Sequence, residues 1–157
     1  MLIGFVGTIA KETGSFYPVR EAYWLSPAAR EAYYRNVGTG PGQHAEYIGG
    51  TQYHGRGYVQ LTHVGGYQMV QDRLASVGIN VDLVGNPDLL LEPLYAAHSI
   101  AIYFKYHGGG VMIQQCRAQD WQSVRRNVLG GYDADGIAKL KHAESILLPL
   151  ARDRGLV

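Results

Sequence analysis

A chain of 157 residues, 46% hydrophobic, is long enough to bury one core without disulfides or a structural metal. A formal net charge of +1, with Lys and Arg scattered and densest at Arg125-Arg126, argues against a nucleic-acid binder, which carries a basic patch or stripe. The single cysteine, Cys116, excludes an intramolecular disulfide and reads as a small buried filler, and no run reaches the roughly 18 apolar residues of a membrane span.

Leu2, Ile3, Phe5, Val6, Ile9 and Ala10 recur at helical spacing and Gly14 supplies a stop, so a first helix runs to about Thr13. The segment is short, lacks a basic start and runs into Lys11-Glu12. It reads as a core helix and not as a signal peptide. Ser26-Pro27 reads as a cap and first helical residue, opening a helix to about Asn36. Residues 37–57 are rich in Gly and polar side chains, a long surface segment with room for a short hairpin, and such segments are commonly functional. Val59 to Thr62 reads as a buried, strand-like stretch, with Gln60 and Thr62 on one face and Val59 and Leu61 on the other. Helices follow from about Val64 to Val77, closed by Gly78, and from Leu89 or Pro93 to Tyr106, closed by Gly108-Gly109-Gly110. Two more run from Asp120 through Val128, closed by Gly130-Gly131, and from Ala134 to Arg152, with Pro149 a site for a kink. The expected fold class is all-α, with at most one small hairpin, in a single domain spanning 1–157.

Two carboxylates stand out: Glu12, and Glu21 nine residues on. Glycosidic cleavage needs such a pair, one donating a proton to the leaving oxygen and one activating water. Glu12 follows an apolar helix and sits in its last turn, where the helix dipole disfavours a negative charge, so it is the candidate acid. Glu21, beside Arg20 and beyond the Pro18 turn, is the candidate base. Spacing alone also fits two solvated surface charges. A second segment adds weight. Tyr53-His54-Gly55-Arg56-Gly57-Tyr58 brings two glycines around an arginine, which lets backbone approach a ligand or another segment closely. Gln60 and Thr62 then offer a polar pair suited to a cleft wall that holds a water and a sugar amide. Structural roles compete: Arg56 as an ion-pair partner, Gln60 as a buried amide satisfying loop backbone. The six histidines, His44, His54, His63, His98, His107 and His142, show no metal-ligand spacing, so no metal site is expected. Tyr at 12 far outnumbers Phe at 3, which suits a wet groove, while Trp24 and Trp121 read as core anchors rather than sugar platforms.

Glu12-Thr13-Gly14, Glu21, and the block Gly55-Arg56-Gly57-Tyr58-Val59-Gln60-Leu61-Thr62 resemble the family 19 glycoside hydrolases, which comprise chitinases and related phage and bacterial endolysins. Tyr67, Gly85-Asn86-Pro87-Asp88-Leu89, the Ala97 to Phe104 helix, and Arg125-Arg126 before Gly130-Gly131 continue the register over about residues 2 to 150. The resemblance implies a lysozyme-like two-lobed fold with a substrate cleft and an inverting mechanism, whose carboxylates stand about 6.5 to 9.5 Å apart. It implies Glu12 as general acid, Glu21 as general base, and Thr62 as the hydroxyl that positions the attacking water, with no metal or cofactor. Gln60 would line the sugar subsites with Tyr58, His54 and Tyr67, and Arg56 would support the carboxylates.

The departures are Lys11 where His is common, Gly66 in place of a substrate-binding Asn, and Leu129 where Asn commonly precedes the Gly-Gly pair. The upstream helix common in the family is also missing, which fits a domain of a longer lytic enzyme. The implied partner is the peptidoglycan glycan strand, with no nucleic acid and no membrane. The chain is expected to be a monomer, held in a host bacterial cytoplasm until it is released to the wall. A chitinase acting on N-acetylglucosamine polymers, and a non-catalytic wall-binding module, are the alternatives.

Overall fold

A computed structural model describes residues 1–36 and 46–155. His44 and any hairpin within 37–45 lie outside the described residues. The described chain is mostly helical, with one small two-stranded sheet, as expected. No described helix is long and apolar enough to cross a membrane. The chain divides into two compact units, Met1–Phe16 with Ile100–Val157, and Tyr17–Ser99.

The first unit holds α1 (Leu2–Thr13), the end of α4 (Pro93–Tyr106), α5 (Val111–Arg117), α6 (Trp121–Leu129) and α7 (Ala134–Asp153). Helix α1 ends as anticipated at Gly14, which takes the left-handed conformation (φ 62°). The face it buries differs from the apolar stripe. Gly4, Gly7, Thr8 and Thr13 are buried, whereas Leu2 is exposed. The reason is close packing of α1 along α7. A Cβ at Gly7 would lie 2.7 Å from the Leu140 Cα, and one at Gly4 would lie 2.6 Å from the Cys116 Sγ. Small residues set this approach, and the larger ones flank it, Phe5 standing edge-on to Phe104 with centroids 4.9 Å apart. Asp120 and Asp133 cap α6 and α7 by accepting from the Ser123 and Gly136 N–H groups. Helix α5 is an addition to the sequence reading. Gly108, Gly109 and Gly110 all have positive φ (59°, 76° and 78°), so the helical path kinks and resumes as a helix of seven residues, too short for a periodic signal.

Gly7→Ala tests the α1–α7 contact. Alanine gains up to about 1 kcal/mol of helix propensity. That gain is outweighed because the added methyl meets backbone, which cannot rotate away, and overpacking costs about 1 to 3 kcal/mol. A fall in melting temperature of roughly 2 to 10 °C by circular dichroism is the expected result. An unchanged or raised melting temperature would contradict the packing.

The second unit holds β1 (Val19–Arg20), α2 (Pro27–Asn36), a 3-10 turn at Thr51–Tyr53, β2 (Arg56–Gly57), α3 (His63–Ala75), a 3-10 turn at Pro87–Leu91 and the start of α4. The sheet is not a hairpin inside 37–57. It pairs Val19 with Gly57 and Arg20 with Arg56, joining segments from either side of α2. Residues 59–62 are not a strand either. Gln60 has φ 52°, and the Arg56 and Leu61 backbones exchange hydrogen bonds of 3.2 and 2.9 Å, which closes a tight turn. Val59 and Leu61 still point inward, as the alternation predicts.

Candidate active site

Glu21 follows β1 directly and is tied at every polar atom of its backbone and side chain. Its N–H donates to the Gly55 carbonyl at 2.7 Å, and its carbonyl accepts from the Tyr34 hydroxyl at 2.7 Å. Its carboxylate Oε2 accepts from the Gly55 N–H and the Tyr47 hydroxyl, both at 2.9 Å, and Oε1 accepts from the Tyr33 hydroxyl at 3.3 Å. Three donors therefore fix one partly exposed carboxylate. The phenols remain donors over a wide pH range. Burial, then the Glu21 charge, raises Tyr33, and burial above all raises Tyr34 to about 12. Burial, then the Glu21 charge and hydrogen bond, raises Tyr47.

The Gly55-Arg56-Gly57 run builds this nest. A Cβ at Gly55 would lie 3.3 Å from Glu21 Oε2 and 3.0 Å from Gln60 Oε1, so the glycine admits the carboxylate to the backbone. Arg56 is buried beneath. Its Nε donates to Asp88 at 2.7 Å, and its Nη1 donates to the Gln52 and His54 carbonyls at 2.7 and 3.1 Å and to the Tyr67 hydroxyl at 3.0 Å. Tyr67, fully buried, donates in turn to the His54 carbonyl at 2.7 Å, and burial pushes its hydroxyl up to about 12. Burial works to raise Asp88, but the Arg56 bond and charge, with Arg20, outweigh it and hold the carboxyl below its ordinary value.

His54 stacks on Tyr34 at 3.8 Å with an interplanar angle of 13°. Its Nδ1 lies 3.0 Å from the Thr51 carbonyl, which can only accept, so Nδ1 carries the proton of a neutral ring. Burial, then the Arg56 charge, lowers His54 to about 4. His54, Arg56 and Tyr67 thus lie beneath the Glu21 nest, and their contacts are with the protein. The Gln60 Nε2 donates to the Val19 and Gly57 carbonyls at 3.0 and 3.1 Å, clipping the two strands together and leaving Oε1 toward Gly55. The Thr62 hydroxyl donates to the Gln60 carbonyl at 2.8 Å, so its oxygen has lone pairs left to accept. Thr62 and Tyr58 are partly exposed.

Glu12 belongs to the other unit. The sequence suggests apolar surroundings, but the carboxylate meets a buried guanidinium. Arg125 on α6 is fully buried and donates through Nη2 to Glu12 Oε1 at 2.7 Å. The same Nη2 lies 2.6 Å from Asp133 Oδ2, and Nε donates to that oxygen at 2.8 Å. Asp133 Oδ1 accepts the Gly136 N–H at 3.0 Å. Burial works to raise Asp133, but the Gly136 N–H, the Arg125 bond and charge and Lys11 outweigh it and hold it below its ordinary value. Gly136 is required here, since a Cβ would overlap Asp133 Oδ2 and Arg125 Nε. Lys11 pairs with Asp135 at 2.8 Å. Tyr103 donates to the Asn127 carbonyl at 3.2 Å, and burial, then the Glu12 charge, raises it to about 12.

No family model, curated protein or solved structure matches this chain. The functional reading therefore rests on the residues themselves. Tyr33, Tyr34, Tyr47 and Asp133 are the participants that sequence reasoning misses, together with the pairing of Arg125. Asp133 is legible as a helix cap, but no local signal shows which guanidinium it meets. The tyrosines lie 12 to 26 residues from Glu21 in the chain, beyond the reach of spacing arguments. No group of three or more His, Cys, Asp and Glu that could hold a metal occurs among the described residues. Gly66 has a packing reason. A Cβ there would lie 3.1 Å from Leu61 Cδ1, so a side chain requires the Leu61 side chain to give by a few tenths of an ångström. Leu129, the last residue of α6, is exposed.

Proposed function

We propose that this chain is an endolysin-type glycoside hydrolase that cuts the β-1,4 bonds of bacterial peptidoglycan with inversion, Glu12 acting as general acid and Glu21 as general base. The observation that carries the reading is the Glu21 nest: three donors aim one partly exposed carboxylate, an investment that a solvated loop charge does not need. In this reading Arg125 fixes Glu12 through Oε1, and Oε2 presents the proton to the leaving oxygen. Glu21 takes one proton of the attacking water. Thr62, whose own hydrogen is donated to the Gln60 carbonyl, accepts a hydrogen bond from the other O–H, which stays on the new anomeric hydroxyl, and so turns the water's lone pair toward the anomeric carbon. The reading carries with it a lysozyme-like two-lobed architecture with the glycan in a cleft, and release from a host cytoplasm to the wall.

Two substitutions favour peptidoglycan over chitin as the substrate. Gly66 and Leu129 lack amide groups that could hold acetamido or hydroxyl groups, and each lost hydrogen bond is worth roughly 0.5 to 1.5 kcal/mol. The loss would weaken chitin-oligomer binding by about one to two factors of ten. The test is digestion of purified peptidoglycan beside N-acetylglucosamine oligomers, with new reducing ends identified by mass spectrometry. Reducing ends from peptidoglycan and few from chitin oligomers are expected. Ready cleavage of chitin oligomers with peptidoglycan untouched would replace this reading with a chitinase.

The donors around Glu21 give a second check. Tyr47→Phe removes one hydroxyl from Oε2 and little volume, and a hydrogen bond to a charged group is worth about 1.5 to 3 kcal/mol. Turnover is expected to fall about ten- to a hundredfold with KM nearly unchanged, because the lost contact aims the base rather than the sugar. A rise in KM alone would assign Tyr47 to substrate binding.

A further inference from the structure

Trp24 is not the core anchor that the sequence suggests: it is 70% exposed, and Tyr23 beside it is 47% exposed. Scattered single aromatics on a surface need no explanation. This pair differs because the backbone beneath it is strained and fixed. Ala22, fully buried, has φ 55°, a conformation that residues with a side chain avoid unless their surroundings impose it. The Leu25 N–H donates to the Ala22 carbonyl at 3.0 Å, which makes Tyr23 and Trp24 the two central residues of a closed turn. Tyr34 grips the Glu21 carbonyl on one side at 2.7 Å, and Arg30 Nη2 grips the Leu25 carbonyl on the other at 3.0 Å. The two rings stand edge to face with centroids 5.4 Å apart and planes at 79°. Each ring limits the rotation of the other, so an exposed aromatic face is presented with little freedom left to lose on binding.

We infer that the Tyr23–Trp24 turn is a sugar-stacking subsite, which takes the apolar face of a pyranose ring in the glycan strand next to the ring processed at Glu21. The inference deepens the proposed function and rests on its choice of a glycan as ligand. A pyranose ring presents a row of C–H groups on one face, and the electron-rich face of an indole complements them while the ring edges keep their hydroxyls in water. Trp24 is three residues from Glu21, so their Cα atoms lie within about 11 Å, the reach of a neighbouring sugar or two. A membrane surface is the other partner that exposed Trp and Tyr can suit, and it would need free basic residues around them. The flanking arginines are engaged instead, Arg20 with Asp88 at 3.3 Å and Arg30 with the Leu25 carbonyl. The overall charge is only +1.

Iodide quenching of tryptophan fluorescence tests this directly. The chain has two tryptophans, and Trp121 is buried with its Nε1 on Glu144, so the quencher reports Trp24. A soluble peptidoglycan glycan fragment, added to the Glu12→Gln variant so that it stays intact, is expected to shield Trp24. By calorimetry on the same background, Trp24→Ala should weaken fragment binding about tenfold, with Trp24→Phe recovering most of it. Circular dichroism checks that both variants fold. Unchanged quenching together with an unchanged Kd in Trp24→Ala overturns the subsite. So does shielding by anionic phospholipid vesicles in place of the glycan. Hydrolysis by the wild-type chain is scored separately. Cleavage with an unchanged KM in Trp24→Ala sinks the subsite and leaves the proposed function standing. Shielding without any cleavage by the wild type sinks the proposed function and leaves the subsite.

Discussion

Glu12→Gln is expected to abolish hydrolysis while the protein stays folded. A general acid contributes about 10²- to 10⁴-fold, and a carboxamide of the same shape has no proton to give to a leaving oxygen. The geometry permits the exchange. The new amide oxygen can still accept from Arg125 Nη2, now at 2.7 Å from Glu12 Oε1, and Arg125 keeps its two contacts with Asp133. No buried charge is therefore left without a partner. Loss of activity with an unchanged circular dichroism spectrum is the expected outcome. Near-wild-type hydrolysis by a folded Glu12→Gln chain would remove Glu12 from the mechanism.

The largest effect on stability is expected from Arg125→Met. The side chain is fully buried, and its replacement leaves the Asp133 carboxylate in a pocket built around a cation. Methionine fills much of the volume but offers no donor. Removing one partner of a buried ion pair costs about 3 to 5 kcal/mol, mostly because the remaining charge stays desolvated. Urea unfolding should show the unfolding free energy lowered by that amount, read as a lower midpoint with little change in slope. A shift under about 1 kcal/mol would mean that the pair is hydrated and contributes little. The same pair sets an acid limit. Asp133 is held below its ordinary value, so its stabilisation is complete above the unfolded-state value near 3.8 and fades as pH falls through the lower native one. His54 acts at higher pH. Lowered to about 4, it favours the fold above its unfolded value of 6.5, and that contribution declines as pH drops toward about 4. The wild type should therefore lose stability progressively below about pH 6.5, and in Arg125→Met the portion of that loss below pH 4 should shrink.

Local chemistry made the helices legible. Gly14, Gly78 and Gly130 take positive φ where the chain was expected to stop, and Asp120 caps the helix that it was expected to cap. What depends on distant partners was not legible. The apolar stripe of α1 pointed to the wrong buried face because the depth of the α1–α7 approach is set by Gly7 meeting Leu140 far along the chain. The pairing of Val19 with Gly57 was not legible, because nothing local records it. The candidate site divides in the same way. Glu12, Glu21 and the Gly55–Thr62 block were visible as residue types at a spacing, and so was the close backbone approach that Gly55 allows. The three donors on Glu21 and the Arg125–Asp133 clamp on Glu12 come from other elements, and periodicity carries no trace of them. Trp24 was misread for a physical reason: a large aromatic is a core residue by default, and only the strained turn at Ala22 reveals that it is held outward.

The central claim is that Glu12 and Glu21 act on one glycosidic bond as acid and base, with water attacking from the face opposite the leaving group. Proton NMR of the first reducing ends released from a soluble peptidoglycan fragment, recorded before mutarotation, reads this directly. Inversion at a β-1,4 bond delivers the α-anomer first, with the β-anomer growing in later, and that is the result the account predicts. An initial β-anomer would mean retention, by a covalent or a substrate-assisted route, and would contradict the role given to Glu21 as the base that activates the attacking water.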